Sequence, residues 1–210
     1  MGVVVKKDVD DDCIMGLWEI QEDFDTLFER VALDNAEKRT LFEFKNIARQ
    51  IEWLSVRALL KELTQSESKI IYNEEPKPFL LDNSFNISIS HSHKLTSILL
   101  SKQKRVGIDL EYRSHRINRI AHKFINENEY ITTDKNFEQL HLYIHWCAKE
   151  ALYKICDKKN INFKDNLTIS PFEIKHEGKI TGVHHDELIH DEFQLKYEIR
   201  DNYVIVLCSK

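Results

Sequence analysis

The apolar residues of this chain switch between two spacings, and that switching limits the folds open to it. From Leu41 through Phe44, Ile47, Ile51, Leu54, Ala58 and Leu59 to Leu63 they recur every three or four positions, the period of an amphipathic helix. Asp34 stands where an N-cap for that helix belongs, and the helix carries Arg49 and Arg57. The polar stretch TQSESKIIYNEEPKP then breaks the pattern and reads as a loop at Pro76 and Pro78. Phe85, Ile87 and Ile89 alternate with Asn86, Ser88 and Ser90, the period of a strand, which runs into His91-Ser92-His93. A second short strand is expected from about Thr96 to Ser101, and VGIDLE, residues 106–111, supplies a third. Helical spacing returns from about Asn136 to Asp157, with Phe137, Leu140, Ile144, Cys147, Ala151 and Ile155 inward. Alternation resumes in Phe193, Leu195, Tyr197 and Ile199, turns at Asp201-Asn202 and ends on YVIVLC, a hairpin closed by a buried strand. The class is α+β with antiparallel pieces. Each half holds one long helix and at least two strands, so residues 1–103 and 104–210 are the expected domains.

Composition narrows the function. A net charge of -5 argues against general nucleic-acid binding, which needs a positive surface for the phosphate backbone. Cys13, Cys147, Cys156 and Cys208 form no CxxC pair and no disulfide framework, which points to reduced thiols and the cytoplasm. No apolar run approaches the roughly 20 residues of a membrane span, and MGVVVKKDVDDD turns acidic too early for a secretory signal.

Within VGIDLE, Asp109 and Glu111 are two apart on a strand and share a face, about 6.5 to 7 Å from one another, while Ile108 and Leu110 turn to the other. Two carboxylates so placed suit a hard cation, and Mg²⁺ fits because it keeps coordination positions for water and phosphate oxygens. Gly107 would let a ligand approach the backbone. A solvated pair of acids is the ordinary alternative. In WCAKEALYK, Glu150 stands between Lys149 and Lys154, with Lys154 one turn on and Trp146 one turn back. The plain reading is a surface ion pair, worth about 0.3–0.5 kcal/mol. Ser90 and His91 at a strand end, and Lys77 between prolines, have the donors that phosphate oxygens accept from.

The ordered set Lys77-Pro78, ISISHS (87–92), VGIDLE, FINENEY (124–130) and WCAKEALYK (146–154) resembles the 4'-phosphopantetheinyl transferases, in particular the longer, surfactin-synthetase-activating type. The likeness runs over most of residues 49–155. It implies two similar α/β halves related by a pseudo-twofold, each a small antiparallel sheet packed on a long helix, in a monomer. It also implies a Mg²⁺-dependent enzyme of the holo-acyl-carrier-protein synthase type. That activity moves the phosphopantetheine group of coenzyme A to a serine of an apo acyl or peptidyl carrier protein and releases 3',5'-ADP.

The resemblance assigns Asp109, Glu111 and Glu150 to the metal, and Lys149 and Lys154 to the phosphates. Lys77, Ser90 and His91 match contacts to the 3'-phosphate, which makes 1–103 the coenzyme A side, and Arg57 resembles an arginine near the nucleotide. Residues 104–210 are then the metal and catalytic side. Glu129 matches a glutamate near the reacting groups, and either it or Glu150 is the candidate to take the serine proton. Lys154 completes the catalytic set. The chain departs from the pattern after Lys154, where CDKKNINF replaces a glycine-rich turn, and residues 1–30 match nothing in it.

Arg113, Arg116, Arg119 and Lys123 can share one helical face opposite Ile117, Ile120 and Phe124, a basic surface for an acidic carrier protein. Two rival classes remain: a non-catalytic relative that binds coenzyme A or a carrier protein, and a zinc protein built on His141, His145, His184, His185 and His190. The pair His141–His145 lacks the glutamate of HExxH and an identified third ligand.

Overall fold

The structure is a computed structural model that describes residues 2–156, 161–188 and 190–210. The chain separates into two compact units, Met1–Gln103 and Lys104–Lys210. Each pairs an antiparallel sheet with one 18-residue helix, and the class is α+β.

In the first unit the sheet order is β1-β2-β6-β5, built from β1 (Val3–Asp10), β2 (Cys13–Glu19), β5 (Asn86–Ser92) and β6 (Leu95–Ser101). The first 30 residues, which carried no motif, thus supply two strands and helix α1 (Phe24–Arg30). The long helix expected from Asp34 is two helices. Asp34 caps α2 (Asn35–Glu43), accepting from the backbone of Ala36 and Glu37 while the Glu37 side chain returns to the Asp34 N–H. That helix stops at Phe44, and Asn46 caps a new one, α3 (Ile47–Thr64), by accepting from Ala48 N at 2.8 Å. A side-chain acceptor of this kind satisfies N–H groups that a fresh helix start leaves without partners. Ile47 falls in the first turn of α3 and is 56% exposed, whereas Leu54, Ala58, Leu59 and Leu63 pack with Trp18, Ile98 and Leu100. The stretch read as a loop holds a small hairpin, β3 (Ile70–Tyr72) with β4 (Pro78–Leu80), because Ile70 and Leu80 pair and bury together.

In the second unit the order is β7-β11-β10-β9-β8, all antiparallel. Its strands are β7 (Val106–Tyr112), β8 (Leu167–Ile169), β9 (Glu177–His185), β10 (His190–Arg200) and β11 (Tyr203–Ser209). The alternation at Phe193, Leu195 and Tyr197 buries all three side chains, and the turn at Asp201-Asn202 sets Arg200 opposite Tyr203. Helix α5 (Glu138–Ile155) lies on the face shown by Val204, Val206 and Cys208, burying Ile144, Cys147, Ala151, Leu152 and Ile155. Asp157, the last residue of the expected helix, lies outside the described residues. Helix α4 (Arg116–Ile120) is five residues long and runs into a 3₁₀ turn. None of the described helices is long and apolar enough to cross a membrane.

Candidate active site

Strand alternation puts Gly107, Asp109 and Glu111 on one face of β7, and that face turns to α5. A Cβ at Gly107 would lie 2.1 Å from the carbonyl oxygen of Ala151. The missing side chain therefore admits the helix backbone, a correction to the expectation that Gly107 opens space for a ligand. The register sets Val206 opposite Asp109 and Val204 opposite Glu111, so a dry aliphatic layer runs beside the acids.

Asp109 is buried, and its Oδ1 accepts from Lys154 Nζ at 2.7 Å. The same ammonium donates to the carbonyl of Ile108 at 2.9 Å. Cys147 sits in the core at the base of this group, its thiol pushed well up by burial and then by the charges of Asp109 and Glu111. Glu150 is partly buried and enters no hydrogen bond or ion pair among the described residues. Its carboxyl is pushed up to about 7, first by burial and then by Asp109, with Lys154 opposing and Glu111 adding to the rise. Asp109 and Glu111 thus both bear on Glu150 across a poorly screened region.

They do not form a closed cage, since among the described residues no three His, Cys, Asp or Glu side chains stand as a metal-ligand group. The donor set nevertheless fits a hard divalent cation. All three donors are carboxylates, and Lys154 is joined to one of them, Asp109, at 2.7 Å.

Lys149 differs from the expectation of a phosphate contact. Its side chain and that of Glu129 are both 0% exposed, and they are joined at 2.7 Å. The ammonium also donates to the carbonyls of Phe124 and Phe163. Glu129 accepts further from Asn126 N at 2.9 Å and Ile169 N at 2.8 Å. Burial lowers the Lys149 pKa against the pull of Glu129. This pair ties α5 to the 124–130 segment and to β8, and neither side chain reaches solvent, so Glu129 is held as the buried partner of Lys149. Trp146, one turn before Glu150, packs edge-on to Phe124 at 5.1 Å and against Phe163 at 5.6 Å.

In the first unit His91, at the end of β5, bonds through Nε2 to Arg49 at 2.6 Å and faces Glu52 through Nδ1 at 3.7 Å. Sequence reasoning did not place Arg49 and Glu52 beside His91, although their i,i+3 spacing on α3 puts them on one face. Ser90 is buried, its carbonyl accepting from Ser97 Oγ at 3.1 Å. Lys77 lies in the β3–β4 turn, where its N–H donates to Asn73 Oδ1. Arg57 is turned inward. Its guanidinium donates to Glu37 Oε1 at 3.1 Å and stacks over Trp53, and burial lowers its pKa to about 10. A nucleotide contact by Arg57 would have to compete with Glu37.

Arg116, Arg119 and Lys123 are exposed, whereas Arg113 precedes α4 and donates to the carbonyl of Asp201 at 3.0 Å. The basic face accordingly has three members rather than four. For the histidines, His141 and His145 are buried on α5, His190 is exposed on β10, and His184 and His185 turn to opposite faces of β9. No zinc-type ligand group occurs among the described residues. The loop that departs from the family pattern falls partly at 157–160, outside them.

Residues 105–208 match the family model described as the 4'-phosphopantetheinyl transferase superfamily. The chain is similar to the 4'-phosphopantetheinyl transferase AcpT of Escherichia coli O157:H7, 32% identical over 112 residues, 50% of this chain and 57% of that protein. The AcpT of Escherichia coli strain K12 gives the same identity and shares. The 4'-phosphopantetheinyl transferase gsp of Aneurinibacillus migulanus is 32% identical over 112 residues, 51% of this chain and 46% of that protein. Through its second unit this chain belongs to the 4'-phosphopantetheinyl transferase superfamily. It spans about half the length of the curated relatives it matches.

Proposed function

We propose that this protein transfers the 4'-phosphopantetheine group of coenzyme A to a serine hydroxyl of an apo carrier protein, as a cytoplasmic, monomeric enzyme of the longer type. The observation that supports this best is geometric: Asp109 and Glu111 stand two apart on the face of β7 that turns to α5, the helix of Glu150, and Lys154 of that helix reaches Asp109 at 2.7 Å. These three would hold Mg²⁺, which when bound neutralises the diphosphate and orients its phosphorus for in-line attack. Lys154, already at the edge of the acid group, is the side chain positioned to take a share of the phosphate charge.

Glu150 is our choice for the group that receives the serine proton, directly or through one water, because it is partly exposed and enters no hydrogen bond or ion pair among the described residues. Glu129 is a poor candidate, since both its oxygens already accept hydrogen bonds inside the fold. Lys77, Ser90 and His91 remain the proposed contacts to the 3'-phosphate. The carrier protein is proposed to meet Arg116, Arg119 and Lys123.

The test is to incubate the protein with an apo acyl carrier protein, coenzyme A and Mg²⁺ and to follow the carrier by mass spectrometry. A gain of one phosphopantetheine is expected. Binding of coenzyme A with no gain on any apo carrier would instead favour the non-catalytic reading.

A further inference from the structure

Two buried imidazoles on α5 are used by nothing in the proposed chemistry. His141 and His145 lie one turn apart with ring centroids 4.8 Å from each other, and both pack on Phe172, at 4.5 and 5.3 Å. They are 1% and 0% exposed. Their hydrogen bonds fix which nitrogen of each ring holds the proton. His141 Nδ1 accepts from the backbone N–H of Thr132 at 3.0 Å, so Nδ1 is bare and the neutral ring has its proton on Nε2. His145 Nδ1 faces the carbonyl of His141 at 3.0 Å, and a carbonyl only accepts, so here Nδ1 holds the proton. Nε2 of each ring is buried with no hydrogen-bond partner among the described residues.

This arrangement argues against a metal pair, because only His145 offers a bare Nε2. It also singles out His141. Protonation there must occur at Nδ1, the atom that holds Thr132, and an N–H⁺ cannot accept from an N–H. The groups around the pair give the cation no support. His145 is itself neutral, Lys149 is cationic on the same helix, and the rings packed on His141 are those of Tyr130, at 5.9 Å, and Phe172, neither of which brings a negative charge. No carboxylate contributes to the titration of either histidine.

We propose that the Thr132 N–H to His141 Nδ1 bond is an acid-released latch that holds the 131–137 segment, the connection leading into α5, against the core. Gain of one proton at Nδ1 turns the acceptor into a donor and expels the Thr132 amide. Burial lowers the His141 pKa below 6.5, and that of His145 to about 3, so the first of the pair to charge on acidification is His141. The sign follows: a histidine whose folded pKa is depressed contributes stability above 6.5 that is lost as pH falls.

Amide hydrogen exchange, corrected for the intrinsic pH dependence of exchange, reads the latch in the intact protein. Between pH 7.5 and 4.5 the protection of Thr132 is expected to fall at least tenfold, while Val206, in the middle of the sheet, keeps its protection. In His141→Asn the Oδ1 can accept from Thr132 but does not titrate, so protection there should stay level across the same range. Wild-type nitrogen-15 spectra provide a second reading that needs no variant: His141 Nδ1 should appear unprotonated at pH 7.5 and protonated at pH 4.5. Unchanged Thr132 protection, a loss shared equally by Val206, or a Nδ1 already protonated at pH 7.5 would overturn the proposal.

Discussion

Glu150 illustrates what crowding does to a single carboxyl. Its folded pKa of about 7 is raised from 4.5, so the folded chain binds this proton more tightly than the unfolded chain does. The resulting stability is complete below 4.5 and is lost as pH rises to about 7. A divalent cation that uses the same oxygens must displace that proton, so Mg²⁺ should raise the melting temperature by several degrees at pH 8 and hardly at all at pH 5. Differential scanning calorimetry checks this, and equal shifts at the two pH values would contradict it. Lys149 presents the opposite situation, an ion pair wholly inside the protein. Lys149→Met should cost about 3–5 kcal/mol by stranding the Glu129 carboxylate, and adding Glu129→Leu should recover much of the loss. Urea denaturation of the two variants measures both numbers. The spacing of WCAKEALYK could not separate its lysines in this way. Lys154 follows Glu150 by about 40° around the helix and Lys149 precedes it by about 100°, and only the packing of the 124–130 segment decides that the second direction is interior.

Contact between β7 and α5 is the element-scale feature on which the acids depend. Because Gly107 lies against the Ala151 carbonyl, Gly107→Ala should destabilise by at least the roughly 1–3 kcal/mol of an overpacked core, and should reduce transfer more than stability alone accounts for by pushing α5 away from Asp109. Transfer rates at 10 °C below each variant's melting point separate the two effects, and a proportionate loss would sink the second. Periodicity made α5, β5, β6 and the β10–β11 hairpin readable, because each presents one regular apolar face to its own core, and β7 readable through buried Ile108 and Leu110 alternating with Asp109 and Glu111. It failed between Asp34 and Leu63, where the apolar stripe continues in phase across Phe44 and Lys45 although the backbone does not. There the competing signal was Asn46, a side chain that favours a cap over a helix interior. The β3–β4 hairpin was missed because three-residue strands carry too little alternation to register.

For the molecule as a whole, a net charge of -5 means that the proposed acidic carrier protein would meet overall repulsion and would need a local basic surface. Arg116, Arg119 and Lys123 are exposed and are the residues proposed to supply it. Reversal of both, Arg116→Glu with Arg119→Glu, should raise the KM for carrier protein about tenfold or more at low salt and leave coenzyme A affinity unchanged. Steady-state kinetics with each substrate varied in turn decides it, and an unchanged carrier KM would return this face to solvent. The acid pair and the KExxxK spacing were legible in sequence because they rest on short-range geometry. The buried course of Arg57, the tie between His91 and Arg49, and the pinning of Arg113 on the Asp201 turn depend on residues 20 to 88 positions away, which no local pattern encodes. Asp109, Glu111 and Glu150 are proposed to hold jointly the cation that grips a diphosphate. The decisive measurement is calorimetric titration of coenzyme A with and without Mg²⁺, on the wild type and on Asp109→Asn, Glu111→Gln and Glu150→Gln. Mg²⁺ should tighten wild-type binding at least tenfold and do so weakly or not at all in each variant; tightening of the same size in all four proteins would contradict it.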